Sequence, residues 1–307
     1  MEEVSSIMKD LFSFLIFPGF IFTAAIGLVA SWIDRKVTAR VQWRVGPPWY
    51  QPLADLVKLS IKEITIPKNA SKAVFLSAPL FGLSAAVLAA TFIWQANIQT
   101  GSSGFTGDTV VILYLLTLPA IALMLGSSAS GNPLASLGVS REIKLMLAYE
   151  LPFIISITVP IIKSSGLLRV TDLIAFQAMN GVFVSNVSGI LAIIVAIFCM
   201  QAKLGLVPFD MAEAETEIMG GIYIEYSGIL LAVLKLTKTI MMVALPVFLT
   251  SIFWGGFSAW KYVILLVVII LMRNTNPRVR IDQAIRFFWY RMTSLAIIAV
   301  LLAMLGF

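Results

Sequence analysis

Residues 12–33, FSFLIFPGFIFTAAIGLVASWI, form an apolar run that contains no charged side chain. A helix rises 1.5 Å per residue, so about 20 apolar residues cross a hydrocarbon core of about 30 Å. Hydrophobic residues make up 59% of the chain and charged residues 12%, far from the composition of an ordinary soluble domain. The run therefore predicts a transmembrane helix in an integral membrane protein.

Seven more runs of low charge can span a bilayer. They are Val74–Ala96, Thr109–Leu125, Leu145–Ile162, Ser188–Gln201, Tyr226–Phe253, Phe257–Met272 and Met292–Phe307. No repeat of 20–50 residues and no linker rich in Pro or Ser divides the sequence. The prediction is an all-α polytopic membrane protein of about eight spans, with residues 1–307 forming one domain.

The basic residues are distributed unevenly between the loops. Eight Lys and Arg residues fall in the loop 34–72 and five in the last loop, 273–291. With Arg141, Lys144 and Lys203, loops of that parity hold sixteen in all, against four on the other side. Because cytoplasmic loops carry the excess of Lys and Arg, we expect a cell membrane protein with cytoplasmic charged loops and both termini outside. The net charge of +6 reflects this topology, and nothing indicates nucleic-acid binding.

The sequence contains one cysteine, Cys199, and no histidine. These counts exclude a disulfide framework, a Cys-rich iron–sulfur site and a His-ligated haem or zinc site. We therefore expect this chain to bind no cofactor or metal and to carry no redox centre of its own.

An acidic segment, Asp210-Met-Ala-Glu213-Ala-Glu215-Thr-Glu217, lies between two apolar runs. Pro208 is expected to open a helix here. On that helix Asp210, Glu213 and Glu217 would share one face, with Glu215 roughly opposite. Because like charges repel, one carboxylate should hold a proton unless Lys or Arg from another loop neutralises the cluster. A solvated acidic loop is the alternative.

Further ionisable residues lie within or next to the predicted spans. Glu225 leads into the sixth span, where Lys235 and Lys238 would lie on one face near mid-membrane, and the fourth span brings Glu142 and Glu150. Ionisable groups at this depth are expensive and usually functional. We interpret these residues, with the acidic segment, as a proton or ion pathway; a purely structural set of ion pairs stays open.

The first basic loop contains a helical pattern of apolar and charged residues. Residues 51–64 predict an amphipathic helix at the membrane surface or under a partner subunit. Upstream is a strip of charged residues, and an acidic lipid surface or an acidic soluble partner fits it equally well. The strip consists of Asp34, Arg35, Lys36, Arg40 and Arg44.

Four ordered motifs between residues 32 and 291 resemble the subunit 1 family of respiratory complex I and its relatives in membrane-bound [NiFe]-hydrogenases. They are DRK at 34–36 with QWRVGP at 42–47, QPLADLVKLSIKE at 51–63, PFDMAEAETE at 208–217 with GIYIEYSG at 221–228, and RNTNPRVRIDQ at 273–283. The last motif adds Arg278, Arg280 and Asp282 to the residues expected to dock a soluble arm.

The resemblance implies a non-catalytic membrane subunit beneath a soluble electron-transfer arm. The implied partners are a small iron–sulfur subunit, a catalytic large subunit and other membrane subunits, including antiporter-like ones. Iron–sulfur clusters and a nickel–iron or related centre would belong to those partners, and the acidic segment would link the redox site to proton-carrying residues.

One departure narrows the resemblance. Quinone-reducing relatives have an extra Gly-containing stretch before Gln-Pro, whereas this chain passes from Gly46-Pro47-Pro48 through Trp49-Tyr50 directly to Gln51-Pro52. Together with Ser140-Arg141-Glu142 at the start of the fourth span, this favours the energy-converting (group 4) hydrogenases or a related archaeal sulfur-reducing complex. A quinone-site subunit of complex I is the alternative, and a free-standing secondary transporter, which would often show repeated halves, is a third.

Overall fold

The structure, a computed structural model, describes residues 2–98 and 104–307, and within these ranges all side chains except those of residues 2–7 and 10. Every regular element in these ranges is helical, as predicted. The α-helices are α1 (Glu2–Leu15), α2 (Phe20–Val41), α3 (Gln51–Ile61), α4 (Lys72–Ile98), α5 (Asp108–Leu115), α6 (Leu118–Ser128), α7 (Pro133–Lys163), α8 (Val170–Asn180), α9 (Val187–Lys203), α10 (Glu215–Ile218), α11 (Gly228–Phe253), α12 (Ala259–Thr275), α13 (Ile281–Arg286) and α14 (Thr293–Met304). Short 3₁₀ turns occupy Phe183–Ser185 and Gly221–Tyr223, and a π-helix occupies Phe287–Met292.

The fold agrees with the predicted membrane architecture of about eight spans. Six segments in the described chain are long and apolar enough to cross a bilayer, and the 17-residue α9 is a shorter apolar helix. Helix α12 covers most of the remaining predicted run, Phe257–Met272. The chain is therefore embedded in the membrane as a multi-pass protein.

The first predicted run is interrupted. Helix α1 ends at Leu15 and α2 begins at Phe20, because Pro18 has no N–H to donate and cannot continue the helix. The fourth span begins earlier than predicted: Asn132 caps α7 by accepting a hydrogen bond from Leu134 N at 2.8 Å. Residues 140–142 consequently lie inside α7, whereas the charge pattern predicts a loop position for Arg141.

Helix α11 lies at the centre of the bundle and packs against α2, α4, α3 and α12. The α2 contact requires a glycine, since a Cβ on Gly27 would lie 2.5 Å from the carbonyl oxygen of Thr239. Helix α4 presents a buried row of small residues, Ala85, Ala86, Ala89 and Ala90. Small residues let helices approach closely where no solvent drives their association.

Helix α3 confirms the predicted amphipathic element, although it ends at Ile61 rather than Ile64. Leu53, Val57 and Ile61 on its apolar face are exposed. No other described part of this chain covers that face, which is therefore left to lipid or to a partner.

The acidic segment differs from the prediction. Residues 205–214 form successive turns, and only Glu215–Ile218 is helical, so Pro208 opens no helix. A helix through this segment would align three carboxylates on one face, whereas the turns direct them to three separate cations. The predicted shared face of Asp210, Glu213 and Glu217 is therefore wrong, and neutralisation by other parts of the chain is what the structure shows.

Candidate functional site

Asp210 is held by the loop that precedes α13. Its Oδ2 lies 2.7 Å from Arg278 Nη2, and Arg278 Nη1 also donates to Thr216 Oγ1 at 3.2 Å. The backbone of the two loops is joined as well, since Val279 N donates to the Pro208 carbonyl at 3.1 Å. The last basic loop thus binds the start of the acidic segment through an ion pair and hydrogen bonds.

Glu213 reaches into the membrane helices. Its carboxylate oxygens lie 2.7 and 2.9 Å from Lys238 Nζ on α11, and Lys238 also donates to the Gly205 carbonyl at 3.2 Å. Tyr223 and Glu213 line the same cavities. Burial and the charges of Glu213 and Glu142 raise the pKa of Tyr223 far above its ordinary value, so its hydroxyl stays protonated.

The end of the acidic segment is fixed to α7 and its cap. Glu217 Oε2 lies 2.5 Å from Arg141 Nη1, which also donates to the Met211 carbonyl at 3.3 Å. Glu225 accepts a hydrogen bond of 2.5 Å from Asn132 Nδ2. Glu215 is exposed and forms no ion pair with any described residue.

Glu142 and the Glu213–Lys238 pair share a small cavity. It has a volume of about 70 Å³ and is also lined by Asp210, Lys203 and Tyr223. Because a water molecule in a protein cavity needs a polar site of roughly 10–15 Å³ of accessible volume, there is room for a few waters. Buried Glu142 has no ion-pair partner among the described residues, and the cavity connects the acidic segment to α7 through a space large enough for water.

Glu150 lies two turns further along α7 and pairs with Lys203. Lys203 Nζ donates to both carboxylate oxygens at 2.7 and 3.0 Å, and its side chain is 1% exposed. The ammonium also lies 5.5 Å from the ring centroid of Tyr149 and 5.1 Å from that of Phe153. Such aromatic faces favour a desolvated cation.

A second cavity of about 420 Å³ lies between α2, α11, α12 and the acidic segment. Lys235 lines it without an ion-pair partner among the described residues. Asp34 and Arg273, which bond to each other, form part of its wall. Lys235 is seven residues into α11, about 10 Å along the axis. It is therefore shallower than the sequence suggests, because α11 begins only at Gly228.

The predicted docking strip divides into two groups. Asp34 is buried, and Arg35 bonds to Asp55 on α3 at 2.8 Å, so both hold the first loop to the bundle. Arg40 and Arg44 are exposed and Lys36 is partly exposed. In the last loop Arg278 pairs with Asp210, whereas Arg280 pairs loosely with Asp282 at 3.5 Å, with an exposure of 80%.

Several partners in this site are not predicted by the sequence. The sequence predicts no ion-pair partner for Arg141, Lys203 and Arg273, and it predicts no role for Tyr223 and Asn132. The signal for Lys203 is its position directly after an apolar run, where a cation must find a partner or reach water. The other partners are distant in sequence and come together only through the tertiary fold.

The comparisons with known proteins agree with this architecture. The sequence profile of the family described as NADH dehydrogenase matches residues 13–304. An NADH-quinone oxidoreductase subunit of Anoxybacillus flavithermus is 32% identical over 291 residues, which cover 87% of this chain and 85% of that protein. The subunit of the same name from Thermomicrobium roseum is 32% identical over 308 residues, covering 90% of both.

A solved structure is similar over nearly the full length. It is a chain of the membrane-bound sulfane sulfur reductase, an archaeal respiratory membrane complex. The match has a TM-score of 0.84 and 26% identity, and it covers 95% of this chain and 99% of that one.

Proposed function

Since this chain belongs to the NADH dehydrogenase family, that of subunit 1 of respiratory complex I, we propose that it is the membrane coupling subunit of a ferredoxin-dependent, ion-translocating redox complex. It is a membrane subunit of a complex I-like or membrane-bound sulfane sulfur reductase complex. Beyond this family membership, we propose that the complex is of the hydrogenase or sulfur-reductase type. We also propose that it couples redox chemistry to proton or sodium movement.

The observation that carries the proposal is the ion pair between Glu213 and Lys238. It joins a loop on the basic side of the protein to a transmembrane helix, and the cavity with Glu142 continues from it. A charge arriving in a soluble arm changes the field at the acidic segment. The low dielectric of the surroundings strengthens that field, so the pair separates or takes up a proton and shifts the charge balance at Glu142, Glu150 and Lys235.

The partners follow from the same proposal. Exposed Arg40, Arg44 and Arg280 offer a positive surface for a soluble arm that contains a small iron–sulfur subunit and a catalytic large subunit. The iron–sulfur clusters and the nickel–iron or related centre lie in that arm, and antiporter-like membrane subunits continue the ion path. The charged loops face the cytoplasm, the termini lie outside, and the membrane is the plasma membrane.

Two observations support the hydrogenase or sulfur-reductase type. Helix α3 begins at Gln51, directly after the Gly46-Pro47-Pro48 turn, without an inserted stretch. The solved chain of the sulfane sulfur reductase is also similar over nearly its full length, with a TM-score of 0.84 and a coverage of 99%.

A quinone-site subunit of complex I is the second candidate. The cavity of about 420 Å³ beside Asp34, Lys235 and Arg273 favours it, because small-molecule sites are typically about 300–1,000 Å³. The names of the two bacterial relatives point the same way. Saturable photo-labelling of this cavity by a quinone-site inhibitor in the purified complex would replace the first candidate by the second.

The test of coupling uses Glu213→Gln in the complete complex, reconstituted into vesicles and supplied with reduced ferredoxin. We expect electron transfer to continue and ion translocation to stop, because the amide keeps the size of the side chain and removes its charge. The measurements are acceptor reduction and an ion-gradient signal from the same vesicles.

The control is Asp172→Asn. Asp172 forms a surface pair of 3.9 Å with Arg169, within the loop and helix that follow α7, so the same loss of charge should leave translocation unchanged. Normal translocation by an assembled Glu213→Gln complex would contradict the proposal.

A further inference from the structure

A third cavity, of about 580 Å³, lies away from the ion-pair network. Its walls come from α9, the 276–279 loop, α13 and the π-helix. It opens at the end of the last membrane-spanning segment, Ile281–Met304, on the side of the basic loops. The cavity therefore lies at the level where membrane headgroups meet the protein.

The charged groups of this cavity are all cationic. Arg286 and Arg291 line it, and neither forms an ion pair with a described residue. Two acids adjoin lining residues in sequence, and both are paired with arginines outside the cavity lining: Asp282 with Arg280 and Asp210 with Arg278. Two guanidinium groups with free donors fit the oxygens of a phosphate, which arginine binds through paired hydrogen bonds.

The deep wall is aromatic. Phe287 packs against Phe198 with ring centroids 5.3 Å apart and against Phe209 at 5.9 Å. Tyr290 adds a partly polar ring near the arginines. The chain is locally π-helical at Phe287–Met292, and the wider turn places Arg286, Phe287, Tyr290 and Arg291 around one opening. Such π-helical turns are frequent at functional sites.

We infer that this cavity binds one anionic phospholipid, with its phosphate between Arg286 and Arg291 and an acyl or isoprenoid chain against Phe198 and Phe287. Basic pockets between transmembrane helices on the cytoplasmic side commonly hold such headgroups. A soluble phosphate compound would leave the aromatic wall unused. A neutral lipid would leave the two arginines without a partner.

The position of the lipid gives it a structural role. Pro208 and Phe209 line the same cavity and directly precede Asp210. A lipid bound here packs behind the first turn of the acidic segment, on the side opposite the 70 Å³ cavity that Phe209 also lines. The lipid thus supports the loop that carries Asp210 without belonging to the charge pathway.

The experiment is photo-crosslinking in the intact complex. The complex is placed in phosphatidylcholine vesicles that contain a small fraction of diazirine-bearing phosphatidylglycerol or, in a parallel sample, diazirine-bearing phosphatidylcholine. Mass spectrometry of peptides from residues 195–210 and 276–292 reports labelling. We expect the anionic probe to label these peptides several-fold more than the zwitterionic one. Arg286→Gln and Arg291→Gln should each reduce that labelling about five-fold, as expected for loss of one basic contact to an anionic lipid.

Three controls make the outcome decisive. Lys144→Gln removes an exposed basic residue of α7 that lies outside the cavity, and it should leave labelling unchanged. Arg286→Lys keeps the positive charge and should retain most of the preference for the anionic probe, which separates loss of charge from misfolding. Excess inorganic phosphate should fail to compete, since it lacks the apolar chain.

Equal labelling by the two probes would overturn the inference, as would labelling that is unaffected by both arginine variants. Displacement by inorganic phosphate would replace the lipid by a soluble phosphate ligand. A protein segment of another subunit found in this cavity in a structure of the complex would also overturn it. None of these readouts depends on redox coupling, so the experiment tests the lipid site independently of the proposed function.

Discussion

Lys238 Nζ lies 2.7 and 2.9 Å from the two carboxylate oxygens of Glu213, so one ammonium donates to both oxygens and balances the single charge of the carboxylate. The side chains of both residues are about one third exposed or less. Lys238 belongs to the central helix α11, whereas Glu213 belongs to a loop of turns. A movement of the loop therefore changes the electrostatic environment of the central helix directly.

If this pair acts as one unit, Lys238→Gln should lower ion translocation as strongly as Glu213→Gln does. The double variant should then be no worse than either single variant, because groups that act together are not additive. The measurement is ion translocation per electron in vesicles for all three variants. A double variant that shows the product of the two single losses would mean that the residues act separately.

Arg278→Gln should release the start of the acidic segment. Arg278 bonds to Asp210 at 2.7 Å and to Thr216 at 3.2 Å. Hydrogen bonds to charged groups contribute about 1.5–3 kcal/mol, and partial exposure of Arg278 reduces that value to about 1 kcal/mol. Amide hydrogen exchange of residues 208–217 should therefore accelerate about five-fold. Arg280→Gln is the matched control and should leave exchange unchanged, because its pair with Asp282 is solvent-exposed.

Lys203→Met should destabilise the protein by leaving Glu150 without its cation. Removing one member of a fully buried ion pair costs about 3 kcal/mol or more, and the cost here should be below that value because the Glu150 side chain is 21% exposed. The thermal unfolding temperature of the purified complex should fall, and the second change Glu150→Gln should restore part of the loss.

Lys144→Met is the control for that experiment. Lys144 lies on the same helix, α7, and is exposed, so its replacement should change stability by no more than about 0.5 kcal/mol. A similar loss of stability in Lys144→Met and Lys203→Met would contradict a special role for the buried pair.

The attachment of α3 should depend on pH. Partial burial of Asp55 raises the pKa of its carboxyl group, but hydrogen bonds from Arg35 and Gln51 outweigh this effect and hold the pKa below its ordinary value. A carboxyl group whose pKa is lowered by folding contributes stability above its unfolded pKa of about 4, and this is lost as pH falls through the folded value. Since Arg35 and Asp55 are partly exposed, the contribution should be below about 1 kcal/mol.

Hydrogen exchange of residues 51–61 between pH 6 and pH 3, corrected for the intrinsic rate, measures this effect. Protection should decrease towards the acid end in the natural sequence and stay flat in Asp55→Asn. Equal pH dependence in both proteins would exclude Asp55 as the titrating group.

The membrane architecture can be predicted because apolar length and the distribution of Lys and Arg are local properties of the sequence. Pro18 is also a local signal for a break in the helix, although it lies inside an apolar run that otherwise predicts one continuous span. The sequence of the acidic segment predicts a helix because its i, i+3, i+7 spacing and Pro208 favour one. The ion pairs that stabilise turns instead involve cations from other parts of the chain. Arg141, Lys238 and Arg278 come from three separate segments, and their convergence on one loop is a property of the tertiary fold.

The acids of the candidate site can be predicted more fully than its cations. Intramembrane carboxylates such as Glu142 and Glu150 are conspicuous in an apolar run. A lysine or arginine at the end of a run, such as Lys203 or Arg273, is ordinarily explained by its reach to the headgroups. Only the burial of Lys203 and the bond from Arg273 to Asp34 distinguish them from such residues.

The pairing of these charges determines how the protein responds to membrane voltage. Moving one elementary charge through a potential of 100 mV changes its energy by about 2.3 kcal/mol, but a carboxylate and an ammonium held together at one depth experience opposite forces that nearly cancel. Asp34 with Arg273, Glu150 with Lys203 and Glu213 with Lys238 are such pairs. Among the described charges that line the cavities of about 70 and 420 Å³, voltage therefore acts chiefly on Lys235 and Glu215, which have no ion-pair partner, and on any proton that reaches Glu142.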